Sequence, residues 1–188
     1  MTTNSRVEQM IKIHNSINSF FVSKIKESIT FNDFNINYYI NTIIEMESQL
    51  FNYIQIAPSS IKYLNFGNNM SNILKIIHIS SSILFVYYHS LTNNCKIEKF
   101  IISNLENFHI KSLELFKSKN EIYGDAFAKF GVMGVLVRMS DKIMRFKTLI
   151  NLNHDPDFKI DNESTIDTLI DLSNYCAMAL MLLEEQHN

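Results

Sequence analysis

The chain has no tryptophan, only two prolines, only four glycines and only two cysteines in 188 residues. So few chain breakers favour long helices over a fold built from many turns. Cys95 and Cys176 stand far apart, with no CxxC and no histidine at metal-ligand spacing, which excludes a disulfide framework and a cysteine-based zinc site. Strong charge of either sign is also missing: the net charge is -2 and the pI about 6.3. No global field therefore draws the protein onto duplex nucleic acid or an anionic membrane. The first twenty residues show no apolar signal core, and the most apolar run, Ile83–Tyr88, reads as far too short to span a bilayer. A cytoplasmic protein with no membrane partner is the expectation.

What is present is a composition of 46% hydrophobic and 19% charged residues, ordinary for one folded domain with a sizeable core. Apolar residues recur at three and four spacings in residues 7–29, 40–56, 70–90 and 97–117, which predicts four helices. The segment FNINYYI also has the composition of an extended strand. Further on, a turn at Tyr123-Gly124, a helix over 125–150, a loop around Pro156 and a last helix over 163–185 are expected. The predicted architecture is all-α: a single domain, 1–188, forming one bundle of about five to seven helices.

Two faces carry chemical interest. On the last helix, Glu163, Asp167, Asp171 and Asn174 step by four, four and three residues and so share a face about 80° wide. Leu169, Leu172, Cys176, Leu180 and Leu183 lie on the other side. No lysine or arginine occurs from Ile160 onward, so the like charges have no partner within their own helix, and the stripe running into Tyr175 suggests cover by another element. Burial would demand cations: either a hard ion such as Mg²⁺ or Mn²⁺, or side chains from a neighbour. On the preceding helix Arg138, Asp141, Lys142 and Arg145 share a face that Gly131 and Gly134 extend. Those cations suit either a phosphate or an ion-pair seam with the acidic helix. Asp125, after Tyr123-Gly124, reads as an N-cap or as a further metal ligand. Three of the four glycines fall between Gly124 and Gly134, where bare backbone would admit a flat base or sugar.

Taken in order, KNEIYGDAF at 119–127, RMSDKIMRFKTL at 138–149 and ESTIDTLIDLSNYCAMAL at 163–180 resemble the nucleotide modification associated domain 1 family. The shared pattern is KNxxYGD, then RxxDKxxRxxxL, then ExxxDTLxDLxNY. It covers 119–185 and leaves 1–118 as N-terminal helices without a parallel; Ile122 stands where the pattern carries an acid. The DTLIDLSNY segment also looks like the second acidic motif of MazG-type all-α nucleoside triphosphate pyrophosphatases.

The resemblance implies a Mg²⁺- (or Mn²⁺-) dependent hydrolase of a nucleoside di- or triphosphate, in nucleotide metabolism or DNA base modification. Glu163, Asp167 and Asp171 would be catalytic and, with Asp125, hold the metal. Tyr123, Gly124, Arg138, Lys142, Arg145, Asn174 and Tyr175 would bind substrate. The expected partners are a nucleotide and, as an option, a second copy of the chain. No ExxE pair stands in the preceding helix, which leaves open a non-catalytic nucleotide-binding or helical interaction module.

Overall fold

The computed structural model describes residues 3–28, 35–56, 66–93, 97–152 and 162–187. Among them are six α-helices and no strand: α1 (Thr3–Ser28), α2 (Ile36–Ile56), α3 (Phe66–Asn93), α4 (Ile97–Tyr123), α5 (Gly131–Leu152) and α6 (Asn162–His187), with a 3-10 segment at Gly124–Ala128. The all-α bundle expected from the periodicity is the fold. Within the segment FNINYYI, residues 36–40 lie in α2 instead of a strand: the Asn35 side-chain oxygen accepts the Asn37 backbone N–H at 3.0 Å and caps the helix. Cys95 and Pro156 lie outside the described residues.

The bundle is organised around α3 and α6, which pack along each other more extensively than any other pair. In α3 every residue from Ser80 to Val86 is buried, and in α6 so are Leu169, Ile170, Leu172, Cys176, Ala177 and Ala179 to Leu183. A helix apolar on nearly every side has to be enclosed by others. Here α1 and α4 pack together on one side of the pair, and α2 and α5 on the other. Small side chains line the central helices, and two buried hydroxyls of α3 are satisfied locally, whereas Thr165 and Ser173 of α6 have no partner among the described residues. Ser81 donates to the Ile77 carbonyl at 2.8 Å and Ser82 to the His78 carbonyl at 2.7 Å, so their burial leaves no hydroxyl unpaired.

The reading of Ile83–Tyr88 as too short to span a bilayer needs correction. The windows Asn69–Leu91 and Ser164–Gln186 are each long and apolar enough to cross a membrane by length and composition. In this fold they are 67% and 72% buried against other helices. Serines and histidines within α3 lower the apparent apolarity of any short run, which is why the whole helix did not stand out.

The helix expected from Asp125 begins instead at Gly131, because the chain must turn twice first. Gly124 and Gly131 have φ of +56° and +63°, in the left-handed region where a side chain is strained. A Cβ at Gly134 would sit 2.7 Å from Phe130 Cβ. The glycine concentration thus has a backbone cause. Gly131→Ala is expected to cost about 1–2 kcal/mol in a urea titration even though the site has open space; an unchanged midpoint would contradict the strained-turn reading.

Candidate functional site

The acidic stripe of α6 descends into the bundle as it runs toward the C-terminus. Asp167 is exposed, Asp171 is half-buried and Asn174 is buried. The side chain of Glu163 lies outside the described residues. Asn174 is held by α4: its amide oxygen accepts the Ser112 hydroxyl at 2.8 Å and its nitrogen donates to the Ser112 carbonyl at 3.0 Å. Buried and fully engaged with α4, Asn174 locks two helices, an arrangement worth about 1 kcal/mol per hydrogen bond.

At Asp171 three helices meet. Lys142 of α5 donates to one carboxylate oxygen at 2.7 Å and Lys119 of α4 to the other at 3.0 Å. Burial opposes ionisation of this carboxyl, and the hydrogen bonds of Lys142 and then Lys119 outweigh it, so its pKa falls below the ordinary carboxylate range. The cations that burial demanded are lysines, and only one of them, Lys142, belongs to the face marked out in the sequence. Arg138 is 71% exposed and pairs along its own helix with Asp141, itself 63% exposed, at 3.8 Å. Such an exposed pair contributes little. Arg145 donates to the Ser164 hydroxyl at 2.8 Å, so it does reach α6, one turn before Asp167.

The remaining expected residues fall elsewhere. Tyr123 is exposed and Tyr175 half-buried. Asp125 is neither the N-cap of α5 nor a neighbour of the other acids: it lies within the 3-10 segment and accepts from Arg6 Nε of α1 at 3.1 Å. Arg6, only 4% exposed, also pairs with Glu185 at the end of α6, and Gln9 donates to that same carboxylate at 3.1 Å. Burial works against the Arg6 charge, but the bonds to Asp125 and Glu185 more than offset it and raise its pKa. This network ties α1 to the turn before α5 and to α6. Asp125, Asp167 and Asp171 therefore do not converge as a three-acid cluster among the described residues.

The sequence reading missed two features. Asn120, next to Lys119, is 4% exposed, and neither atom of its side-chain amide has a hydrogen-bond partner among the described residues. The second is a group of three histidines, His14 of α1, His78 of α3 and His109 of α4, of which one ring nitrogen each lies within 4.8 Å of the other two. No local motif announces residues 64 and 31 positions apart; only their shared helical phase, each on the inward face of its helix, carried any signal. The Nδ1 atoms of His14 and His109 are 3.0 Å apart, so one ring donates and the other accepts. Nε2 of both His14 and His78 is buried without a partner among the described residues.

Burial, with the repulsion of His109 added, lowers the pKa of His14 to about 3, and burial lowers that of His109 to about 4. His78, fully buried, is also held well below its ordinary value by burial first and then by the other two rings. All three rings are therefore neutral at neutral pH. Cys176 is inert by comparison, because burial raises its pKa and its Sγ rests 3.6 Å from Met139 Sδ.

Comparison of the chain with protein-family models, with curated proteins and with solved structures finds no match.

Acid titration should expose the histidines first. The unfolded chain takes up imidazole protons near pH 6.5, whereas the native chain resists until about 4 for His109 and about 3 for His14. Stability is therefore complete above that window and falls as the pH drops through it, by up to about 1.4 kcal/mol per pH unit for each imidazole. Asp171, with its pKa lowered, contributes stability that is complete above the ordinary aspartate value of 3.8 and is lost as the pH falls below it. Urea midpoints measured from pH 7 to pH 4 should decline steadily; a flat profile would contradict neutral burial of the histidines.

Proposed function

We propose that the protein binds the phosphate end of a nucleotide at the junction of α4, α5 and α6. The observation that carries this reading is the charge at Asp171: two lysines share one carboxylate, leaving the cluster one positive charge in excess before Arg145 is considered. An excess of ammonium groups around a single acid suits an anion better than a divalent cation. Lys119 is 50% exposed and Lys142 is 23% exposed, so an arriving phosphate oxygen can reach both without unfolding anything. Arg145 lies along the same α5–α6 seam and adds planar donors that match phosphate geometry. The buried amide of Asn120, beside Lys119, keeps donor and acceptor capacity in the same segment. The likeness to the nucleotide modification associated domain 1 pattern, which contains Lys119, Asn120, Lys142, Arg145 and Asp171, supports a nucleotide as the phosphate's carrier.

A second reading, Mg²⁺- or Mn²⁺-dependent hydrolysis, is favoured by one specific feature. Asp171 is ionised, and a phosphate that draws off its lysines would free its oxygens for a metal, with Asp167 and Glu163 one and two turns away along α6. The metal would polarise the phosphoryl oxygens and activate water.

One experiment separates the two. Calorimetry with a panel of canonical and modified nucleoside triphosphates, with and without Mg²⁺, should show binding that Lys142→Met weakens by about tenfold or more. Asp171→Asn removes the competing carboxylate and should leave affinity equal or higher under the binding reading. Under the hydrolytic reading the same substitution abolishes pyrophosphate release. A folded chain that binds no nucleotide, phosphate or pyrophosphate would overturn both.

A further inference from the structure

The Lys119–Asp171–Lys142 cluster does not involve the second concentration of polar groups in the bundle, the histidines of α1, α3 and α4. Three imidazoles from three helices converge inside an apolar environment, with Phe108 edge-on to His78 at 6.1 Å between ring centroids. A lone core histidine is ordinarily satisfied by one backbone or side-chain partner. Here two of the rings hide an Nε2 that has none among the described residues, and the closest contact of the group is nitrogen to nitrogen. His78 Nδ1 has Ser82 Oγ at 3.5 Å, so the nitrogens left open to a ligand are the buried Nε2 atoms of His14 and His78.

We propose that His14, His78 and His109 form a binding site for one divalent transition-metal ion, Zn²⁺ foremost, held by three imidazole nitrogens with a fourth position facing the adjoining pocket. Nitrogens bound to a tetrahedral Zn²⁺ at about 2.0–2.1 Å lie about 3.3 Å from each other. The separation of 3.0 Å between His14 Nδ1 and His109 Nδ1 is close to one such edge. The outer limit of 4.8 Å for the group requires side-chain adjustments of about an ångström or more. His14 stands edge-on to both other rings at 5.2 Å, and His78 and His109 lie nearly parallel, so ring rotation accompanies the side-chain adjustment that brings the three nitrogens to one ion.

The donor set selects the ion. Three neutral nitrogens without a carboxylate or thiolate suit Zn²⁺, Co²⁺, Ni²⁺ or Cu²⁺, and suit Mg²⁺ or Ca²⁺ poorly. The rings already stand neutral, so the ion displaces no proton to solvent from them. The ring that donates in the Nδ1–Nδ1 hydrogen bond moves that proton to its own Nε2 when its Nδ1 turns to the metal. A small pocket whose walls include His78, His109, Ser82 and Asn18 adjoins two of the three rings, and the proposed fourth position would open toward it. Three protein ligands and one water form the open type of zinc site, which distinguishes it from the closed four-ligand structural type.

The test uses the full chain. After dialysis against a chelator, Co²⁺ added to the protein should produce the visible absorption of a tetrahedral nitrogen site, saturating at one ion per chain and displaced by Zn²⁺ but not by Mg²⁺. Zn²⁺ should also raise the melting temperature, since it binds only the folded arrangement. His109→Gln, at the least buried position of the three, should keep the helical circular dichroism and lose the absorption; His78→Ala should lose it as well, and His89→Gln, outside the group, should retain it. Absence of a stoichiometric Co²⁺ or Zn²⁺ complex in the folded wild-type chain would overturn the proposal, as would an absorption that persists in folded His109→Gln.

Discussion

Everything in this fold follows from the need to bury two helices that are apolar on almost every side. α3 and α6 cannot present a single stripe to a core, because their buried positions run around the helix: Ser80 to Val86 without interruption in one, Ala179 to Leu183 in the other. Burying a large aliphatic or aromatic side chain contributes about 1.5–3 kcal/mol, so the pair gains most when it is surrounded. The four remaining helices supply that enclosure. α5 illustrates the division of labour, with Val132, Leu136, Met139, Ile143 and Phe146 turned inward and Met133, Val137 and Met144 left exposed.

Enclosure of this kind is not directional, and polar side chains give it a defined geometry. Asn174 with Ser112 sets α6 against α4, Arg6 with Asp125 and Glu185 sets α1 against α6 and the 3-10 turn, and Glu47 with Ser140 and Lys147 sets α2 against α5. Each is a buried or half-buried polar group whose desolvation is tolerated only with its partner in place, so a slipped helix would leave it unsatisfied. Asp171 belongs to the same class mechanically, since it joins α4, α5 and α6. It differs in carrying two cations for one charge. The same junction therefore holds three helices together and presents ammonium groups to solvent.

The helical architecture was legible in the sequence because apolar periodicity and the scarcity of glycine and proline act locally. The site was legible in part. Spacing along α6 correctly placed Asp167 and Asp171 on one face but could not show how deep that face sinks, which depends on where α4 crosses it; Lys119 became its partner through that crossing. Arg138 and Lys142 share a helix face by spacing, yet four residues of helix are enough to put one in solvent and the other against Asp171. Asp125 looked like a cap because it follows a Tyr-Gly turn, while its partner Arg6 lies 119 residues away and leaves no local trace. The histidines left only their inward helical phase in the sequence, since it is tertiary packing that brings three helices' worth of imidazole together.

The central claim is that α3 and α6 form the core on which the other helices depend. Native-state hydrogen exchange tests it most directly. Amides of α3 between Ile73 and Tyr88 and of α6 between Leu169 and Leu183 should exchange only through global unfolding, with free energies equal to that of the whole chain, and those of α2 and α5 should open at lower cost. Exchange of α3 or α6 through local opening, while an outer helix stays protected to the global limit, would contradict the account.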